Sequence, residues 1–465
     1  MSVTIRWLIV GSPCRLHKRA KLLLDKTDRP RRRWQLLVGT VLAATLAPPA
    51  AAGTLDYELG AGAFGGYTDN ALGVPNGTPG SGSDGLILGR VDAGLNFTGR
   101  FSEHRLAYAF SASRYVLQSG GDILSNSLEW EAGYQPRAWL RLTSSLAATQ
   151  GRLTDLDVAS ASATGGISAG LTGPRPATPL LYASAEARQG LSAELSTRWL
   201  LLQTFAVQGF WPLEADSEVP RSYTGELGLG LERNFTRDGV SLNLRGLATQ
   251  SNEVRSENVV VSSRVRSYVA ESDLGWRHTF SPVWSDYVSG GGMIIEFSDG
   301  SGARFQPAGL AELSARGETK EIILRVQRAA EPDVFAGGIF LSTRVLLNAA
   351  AGLGKTQKLR LRGLASFDRA SAIGSAGENQ GSASVWLAEI GVSYGEPGPI
   401  VLSLEYSFTD QQASGSGNDQ YFLSFRRNLV MVGIEVKYTS LRPLLRGGGL
   451  PRIRGAGNPA EDPRR

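Results

Sequence analysis

The chain is poor in the residues that carry most enzyme chemistry. Its 465 residues include one cysteine, Cys14, and three histidines, His17, His104 and His278. A lone thiol makes neither an intramolecular disulfide nor a thiolate metal pair. Cys14 also precedes the first apolar run instead of following it, which argues against a lipidated cysteine. Long apolar runs are missing as well: beyond residue 52 no stretch of 18 apolar residues occurs, so helical membrane spans are excluded. Excess positive charge is only apparent. The formal +5 comes from 48 basic and 43 acidic residues, of which residues 1–52 hold ten and two. The remainder carries 38 against 41, about −3, and clustered cationic surface for nucleic acid has no compositional support.

Residues 1–52 have the three-part build of a signal peptide. Arg29, Arg31, Arg32 and Arg33 form a basic region, Trp34 to Ala47 an apolar core, and Ala50-Ala51-Ala52 a small-residue cleavage site before Gly53. The long stretch ahead of Arg29 points to a start codon assigned too far upstream. At the other end, Leu441 to Arg465 holds six Arg, four Pro and five Gly, the composition of a disordered basic tail, here expected in the periplasm.

What the chain does have, from Leu55 to Tyr438, is two-faced alternation. Ile87, Val91, Ala93, Leu95 and Phe97 interleave with Arg90, Asp92, Asn96 and Thr98. Leu128, Trp130, Ala132 and Tyr134 face away from Glu129 and Glu131, and Val430, Val432, Ile434, Val436 and Tyr438 from Met431, Gly433, Glu435 and Lys437. Period 2 is the strand signature. A soluble sandwich also alternates, but these segments run about ten to fourteen residues, the length a tilted strand needs to cross a bilayer. Tight connections, such as Gln135-Pro136-Arg137, Thr236-Arg237-Asp238-Gly239 and Gly317-Glu318-Thr319-Lys320, alternate with long polar ones. Aromatic residues gather beside the tight turns: Phe97, Phe101, Tyr134, Trp139, Phe235, Trp276, Phe280, Trp284 and Tyr394. That is where an interfacial girdle belongs.

Eight tight turns, near residues 102, 136, 192, 237, 280, 318, 355 and 397, predict an all-β fold. It is a transmembrane antiparallel β-barrel of about 18 strands over residues 53–440, in a bacterial outer membrane, with both termini periplasmic. Val158 to Leu171 alternates weakly and reads either as two more strands or as a hairpin folded inward.

Two motifs resemble catalytic ones. Gly166-Ile167-Ser168-Ala169-Gly170 fits a nucleophile elbow, but such an elbow needs a strand-to-helix turn and a histidine base, and His104 and His278 fall at expected turns. Gly352-Leu353-Gly354-Lys355-Thr356 resembles a phosphate loop whose first glycine would fall on Ala349. We read the first as chance and the second as a turn, and expect no catalysis, metal or cofactor. Charges of both signs on the polar face are the functional candidates, as lumen-lining residues: Arg90, Asp92, Glu129, Glu131, Arg141, Glu226, Arg245, Glu271, Asp273, Glu296, Arg360, Arg362 and Glu405. Glu232, Arg277, Glu312, Arg325 and Glu389 belong with them. For any one of them, pairing across neighbouring strands is the plainer role; together they make a wet wall suited to hydrophilic solutes.

The last strand, with Gly433 ahead of Val436 and Tyr438, is similar to the C-terminal signal read by the outer-membrane assembly machinery. The first hairpin (Gly66-Tyr67-Thr68-Asp69-Asn70 and Ser83-Asp84-Gly85) and the segment from Leu231 to Gly239 resemble myxobacterial-type barrels of Wzx/Wzy-dependent polysaccharide secretion. Arg188-Gln189-Gly190-Leu191-Ser192 fits the same pattern. The resemblance implies a conduit that passes polysaccharide together with a periplasmic export partner. A passive porin, with Gly151 to Thr178 as its constriction loop, and a structural or adhesive barrel are the alternatives.

Overall fold

A computed structural model describes residues 53–71, 81–117, 123–153, 180–213, 220–252, 254–256, 259–262, 266–298, 302–332, 339–354, 356–373, 379–396, 398–414 and 424–440. The expected signal peptide, the expected tail, the segment Val158 to Leu171 and Gly166 to Gly170 lie outside the described residues.

The alternating sequence forms long strands. β1 (Thr54–Thr68), β2 (Asp84–Thr98), β3 (Ser102–Tyr115), β4 (Ile123–Arg137), β5 (Leu140–Leu153) and β6 (Leu180–Glu194) come first. β7 (Trp199–Pro212), β8 (Ser222–Asn234) and β9 (Asp238–Ser251) follow, then a short outlying pair, β10 (Val254–Ser256) and β11 (Val259–Ser262). β12 (Arg266–Thr279), β13 (Trp284–Phe297), β14 (Arg304–Arg316), β15 (Lys320–Pro332) and β16 (Ile339–Leu353) continue the wall. β17 (Leu359–Ile373), β18 (Asn379–Tyr394), β19 (Ile400–Ser414) and β20 (Phe425–Thr439) complete it.

Apart from β10 and β11, which pair only with each other, each strand pairs antiparallel with its chain neighbours, and β9 meets β12 across the short pair. β20 returns to β1, with Glu58 opposite Thr439 and Thr68 opposite Leu429, so the 18-stranded sheet closes. Closure joins the ladders around the sheet, the arrangement by which strands satisfy their backbones in hydrocarbon. At about 4.8 Å spacing and about 40° tilt, such a sheet is a cylinder about 35 Å across, wide enough for an aqueous interior.

Eight short turns join the hairpins at one end, within a few residues of the sequence positions; the one expected near 192 falls after Glu194. Thr54 and Thr439 lie at that same end, the periplasmic one. Gly395 closes one turn at φ 112, where a Cβ would strike the Ile400 carbonyl, so the turn requires glycine. The phosphate-loop-like segment is the β16–β17 turn, with Gly354 at φ 76 and strand, not helix, after it.

Register fixes which face is which. Ile87, Val91 and Leu95 of β2, Leu242 and Leu244 of β9, and Val432, Ile434 and Val436 of β20 are all exposed on the outside. Rows of exposed apolar side chains along strand after strand make sense only against lipid, since water would penalise each of them. A ring of Trp199, Phe235, Trp276, Phe280 and Trp284 sits beside the turns, and Arg233 stacks its guanidinium 5.5 Å from Trp199 and 5.1 Å from Phe235. Tyr223 begins the opposite belt, with its hydroxyl 3.2 Å from the indole nitrogen of Trp211. Ten residues separate Tyr223 from Arg233, about 33 Å along the strand and about 25 Å after tilt, the thickness of an outer-membrane apolar band. The protein spans the bacterial outer membrane.

Candidate functional site

The face opposite the lipid is the candidate surface, and the register places twelve of the thirteen expected lumen residues on it. Arg90 and Asp92 are neighbours on β2, 3.3 Å apart, and the Asp92 carboxylate lies over Gly60, where a side chain would not fit. Glu129 and Glu131 share β4, and Glu131 meets Arg105 of β3 at 3.9 Å. Arg141 lies near the turn end of β5. Arg360 and Arg362 converge on Glu396 of the β18–β19 turn, at 2.6 and 3.8 Å, while Glu405 points inward from β19. Asp273 accepts from Asn243 at 2.9 Å.

Glu296 is the exception, and the lumen assignment is corrected. It pairs with the exposed Tyr268 and follows the exposed Ile294, so it stands on the outer face at the loop end of β13. The reason is that β13 carries apolar residues on both faces there: Ile294 outside, but Met293, Ile295 and Phe297 inside. With no polar face to read, the parity of Glu296 is hidden.

Arg245 is the best-held charge of the set. From β9 it forms a fork with both oxygens of Glu226 on β8, at 3.1 and 3.2 Å, and reaches Glu271 on β12 at 3.4 Å. Its remaining Nη1 donor goes 3.1 Å to the backbone carbonyl of Ala330, near the end of β15. If β15 stayed in the wall, four strand spacings would separate it from β9, about 19 Å. Instead, the end of β15 crosses the interior.

The ladder shows where it departs. β14 and β15 pair only from Gly309 opposite Arg328 to Arg316 opposite Glu321, whereas β15 and β16 stay paired to Pro332 opposite Ile339. Above Arg328 the β15–β16 hairpin therefore leaves β14 and swings inward as a unit. Its former outer face, Ala330, Ile339 and Leu341, packs on the inner face of β9, β12, β13 and β14 through Leu247, Val269, Met293, Ile295, Phe297 and Ala308. Its other face packs too, with Phe340 against Ala370 and Ala383. Ala329, Ala330, Ile339, Phe340, Leu341 and Ser342 are all buried, which a single-layer wall between lipid and water does not do to consecutive residues.

An ionic brace supports the bend. Arg344 on β16 donates to Asp368 on β17 at 2.7 Å and to Glu331 on β15 at 3.1 Å, and Ser342 donates to Asp368 at 2.7 Å. These residues escape a reading by composition because β16 is mostly apolar. The signal was the isolated Arg344 within Ile339 to Leu353, and the unalternating run Ile339-Phe340-Leu341. A second covered patch joins Leu86, Tyr115, Leu429 and Met431 with Ala71 of the β1–β2 connection. There Arg427 donates to Thr68 Oγ1 at 3.2 Å and to the Tyr115 hydroxyl at 3.3 Å.

The interior thus has two zones. Toward the turns it is polar and ion-paired: Arg325 with Glu312 at 2.6 Å, Arg316 with Glu321 at 2.9 Å, Arg277 with Glu232, and Arg277 with Asn234 at 2.6 Å. Toward the loops it is filled by the inward hairpin, whose apolar packing is combined with the Arg344 brace. Chemically, the first zone offers polar and charged groups to the interior, and the second narrows it.

No protein-family model matches the chain, and no curated protein matches it. Among solved structures, it is similar to the alcaligin outer-membrane receptor FauA of Bordetella pertussis (TM-score 0.42, 11% identity, 84% of this chain and 77% of that one). It is also similar to OccK2 of Pseudomonas aeruginosa (TM-score 0.41, 13% identity, 82% and 98%). Likeness this distant says nothing about cargo.

Proposed function

We propose that the barrel is a conduit for hydrophilic solutes, narrowed by the β15–β16 hairpin to the size of small molecules. The observation that carries this reading is the Arg245 to Ala330 contact, which requires a strand end to lie across the interior. An inward constriction is what a diffusion porin uses to exclude large solutes; here β15–β16 supplies it, whereas Gly151 to Thr178, the segment singled out for that role, lies beyond the described residues after Leu153.

Polysaccharide export with a periplasmic partner is the second reading, and one feature favours it. Most charges of the turn-side wall are already paired with one another, so a neutral polymer in transit meets few unpaired charges to stall it. For a polymer to pass, the hairpin must swing back toward β14. The two readings part in a planar bilayer. A diffusion conduit gives steady conductance that poly(ethylene glycol) of small radius reduces and larger polymer does not. An export conduit is closed alone, and loss of the gene removes surface polymer while its synthesis continues. Conductance together with unchanged surface polymer would dismiss export; silence together with lost polymer would dismiss diffusion.

A further inference from the structure

The inward swing of the hairpin leaves an open seam, and the backbone on either side of it is badly suited to closing it. Among the described residues, Arg304 to Ala308 of β14 have no strand paired on the side that β15 vacates. Successive residues of a strand turn their N–H and C=O groups to opposite neighbours, so one known bond fixes the direction of all the others. The Arg316 amide donates to the Val283 carbonyl, just before β13, at 2.9 Å, and the Gly317 amide to the Lys320 carbonyl, at the start of β15, at 2.8 Å. The β13–β14 register runs without a shift from Ala315 to Arg304, so the odd-numbered residues of β14 turn their backbone groups toward β15. On β15 the even-numbered residues face β14, because the Lys320 carbonyl does so while the Thr319 carbonyl accepts from Gly352, on the β16 side, at 2.7 Å. Pro307 and Pro332 therefore both turn their nitrogens into the seam.

Continued past its last rung, Gly309 opposite Arg328, the β14–β15 ladder would set Pro307 against Ala330 and Phe305 against Pro332. These are the rungs at which the two strands would exchange hydrogen bonds, and each lacks one N–H because proline has none to donate. In the ladders that do form, Pro307 opposite Gly292 and Pro332 opposite Ile339, the prolines occupy rungs that exchange no bond. Neither of those ladders is harmed, and the missing donors all fall on the seam.

Side-chain patterning does not choose between the two positions of the hairpin. Ala330, Ile339 and Leu341, which pack inside on Leu247, Met293 and Ile295, are also the residues that would face lipid if the hairpin stood in the wall. The backbone makes the choice. A return to β14 would set the Ala330 carbonyl against Pro307, with no N–H to meet it, in hydrocarbon, where an unsatisfied polar group is costly. In the inward position the same carbonyl accepts from Arg245 Nη1 at 3.1 Å.

We propose that Pro307 and Pro332 are positioning residues that keep the β15–β16 hairpin out of the wall, with Arg245 supplying to Ala330 the donor that Pro307 lacks. The hairpin is then a fixed constriction and not a gate. That its position sets the size limit of the conduit rests on the diffusion reading, and the return that an export conduit needs is the movement the prolines oppose.

The test is a disulfide cross-link in the full barrel in vesicles, with Cys14→Ser as background. Gln306→Cys and Glu331→Cys would face each other on a rung without hydrogen bonds, Cα atoms about 4.5 Å apart, only if the hairpin rejoined β14. Leu310→Cys with Gln327→Cys, on a rung that is already formed, is the control pair. Replacing both prolines by alanine is expected to speed oxidation of the first pair at least five-fold and leave the control pair unchanged, and Arg245→Met is expected to add to the gain. Heat-modifiable migration establishes that each variant is folded, and if the double replacement fails it, Pro307→Ala alone is compared. Equal rates with and without the prolines would overturn the proposal, as would an equal gain in the control pair. So would failure of Pro307→Ala to fold, since Pro307 is exposed and acts here only through its missing N–H. Faster cross-linking with unchanged conductance would uphold the role of the prolines and dismiss the diffusion reading instead.

Discussion

Arg245 and Ala330 touch, although their strands are separated by three others along the wall. The guanidinium is held at the other corner by Glu226 and Glu271, so the contact is a latch between a rigid wall and the end of a hairpin. Replacing Arg245 by methionine is expected to release the hairpin end and raise single-channel conductance at least two-fold. The variant also leaves two carboxylates without their cation, so it should unfold at lower urea. Loss of a hydrogen bond to a charged group is worth about 1.5–3 kcal/mol. Unchanged conductance in a folded variant would mean that the hairpin holds without the latch.

The apolar packing beneath the latch gives an independent handle. Shortening the hairpin by removing residues 329–342 takes away Ala330, Ile339, Phe340 and Leu341 together, leaving the periplasmic turns untouched. Enlarged conductance and passage of larger neutral oligosaccharides into liposomes are expected. If swelling rates stay the same, the constriction lies elsewhere.

Membrane exposure is tested by placing one charge on each face of a strand. Val432 is 59% exposed on the outside of β20, and Ser403 faces inward from the adjoining β19. Val432→Arg should destabilise the barrel in vesicles by about 2–4 kcal/mol, the cost of arginine against lipid near mid-bilayer, with Ser403→Arg well below that. Equal costs would argue that the faces are misassigned.

Closure of the barrel rests on a pair of residues whose sizes fit only one way. Phe64 of β1 lays its ring over Gly433 of β20, where a Cβ would run into the ring. Gly433→Val should destabilise the barrel by about 1–3 kcal/mol through overpacking, and Phe64→Ala should restore most of the loss. Urea titrations of the two single variants and the double variant form the cycle; additive losses would show that the two positions do not communicate.

Much of the wall was legible because lipid and water impose opposite demands on alternate residues. Wherever one face is Ile87, Val91 and Leu95 and the other Arg90, Asp92 and Asn96, strand, register face and turn position all follow. Twelve of thirteen lumen candidates came out on the inner face for this reason. Legibility ends where both faces are apolar. Met293, Ile295 and Phe297 face a protein lining, not water, so the parity of Glu296 was lost and the inward hairpin went unseen. Pro307 and the run from Ile339 to Leu341 were the local traces of it, each readable only once the neighbouring ladder is known. The brace of Arg344, Glu331 and Asp368 exists only after the hairpin has bent.

The seam that closes the cylinder also sets the order in which the chain can be assembled. All the wall ladders but one join neighbours along the chain and can add one hairpin at a time. The remaining ladder joins β1 to β20, and at its rim the Tyr57 amide donates to Ser440 Oγ at 2.8 Å across 383 residues of chain. Loop-closure entropy makes this the last and slowest contact. Until it forms, both strand edges are unpaired, and the nascent barrel is an open sheet that needs a template to hold it. A chain lacking β20 is expected to stall as that open sheet, susceptible to protease and without heat-modifiable migration, whereas one lacking only residues 441–465 closes normally.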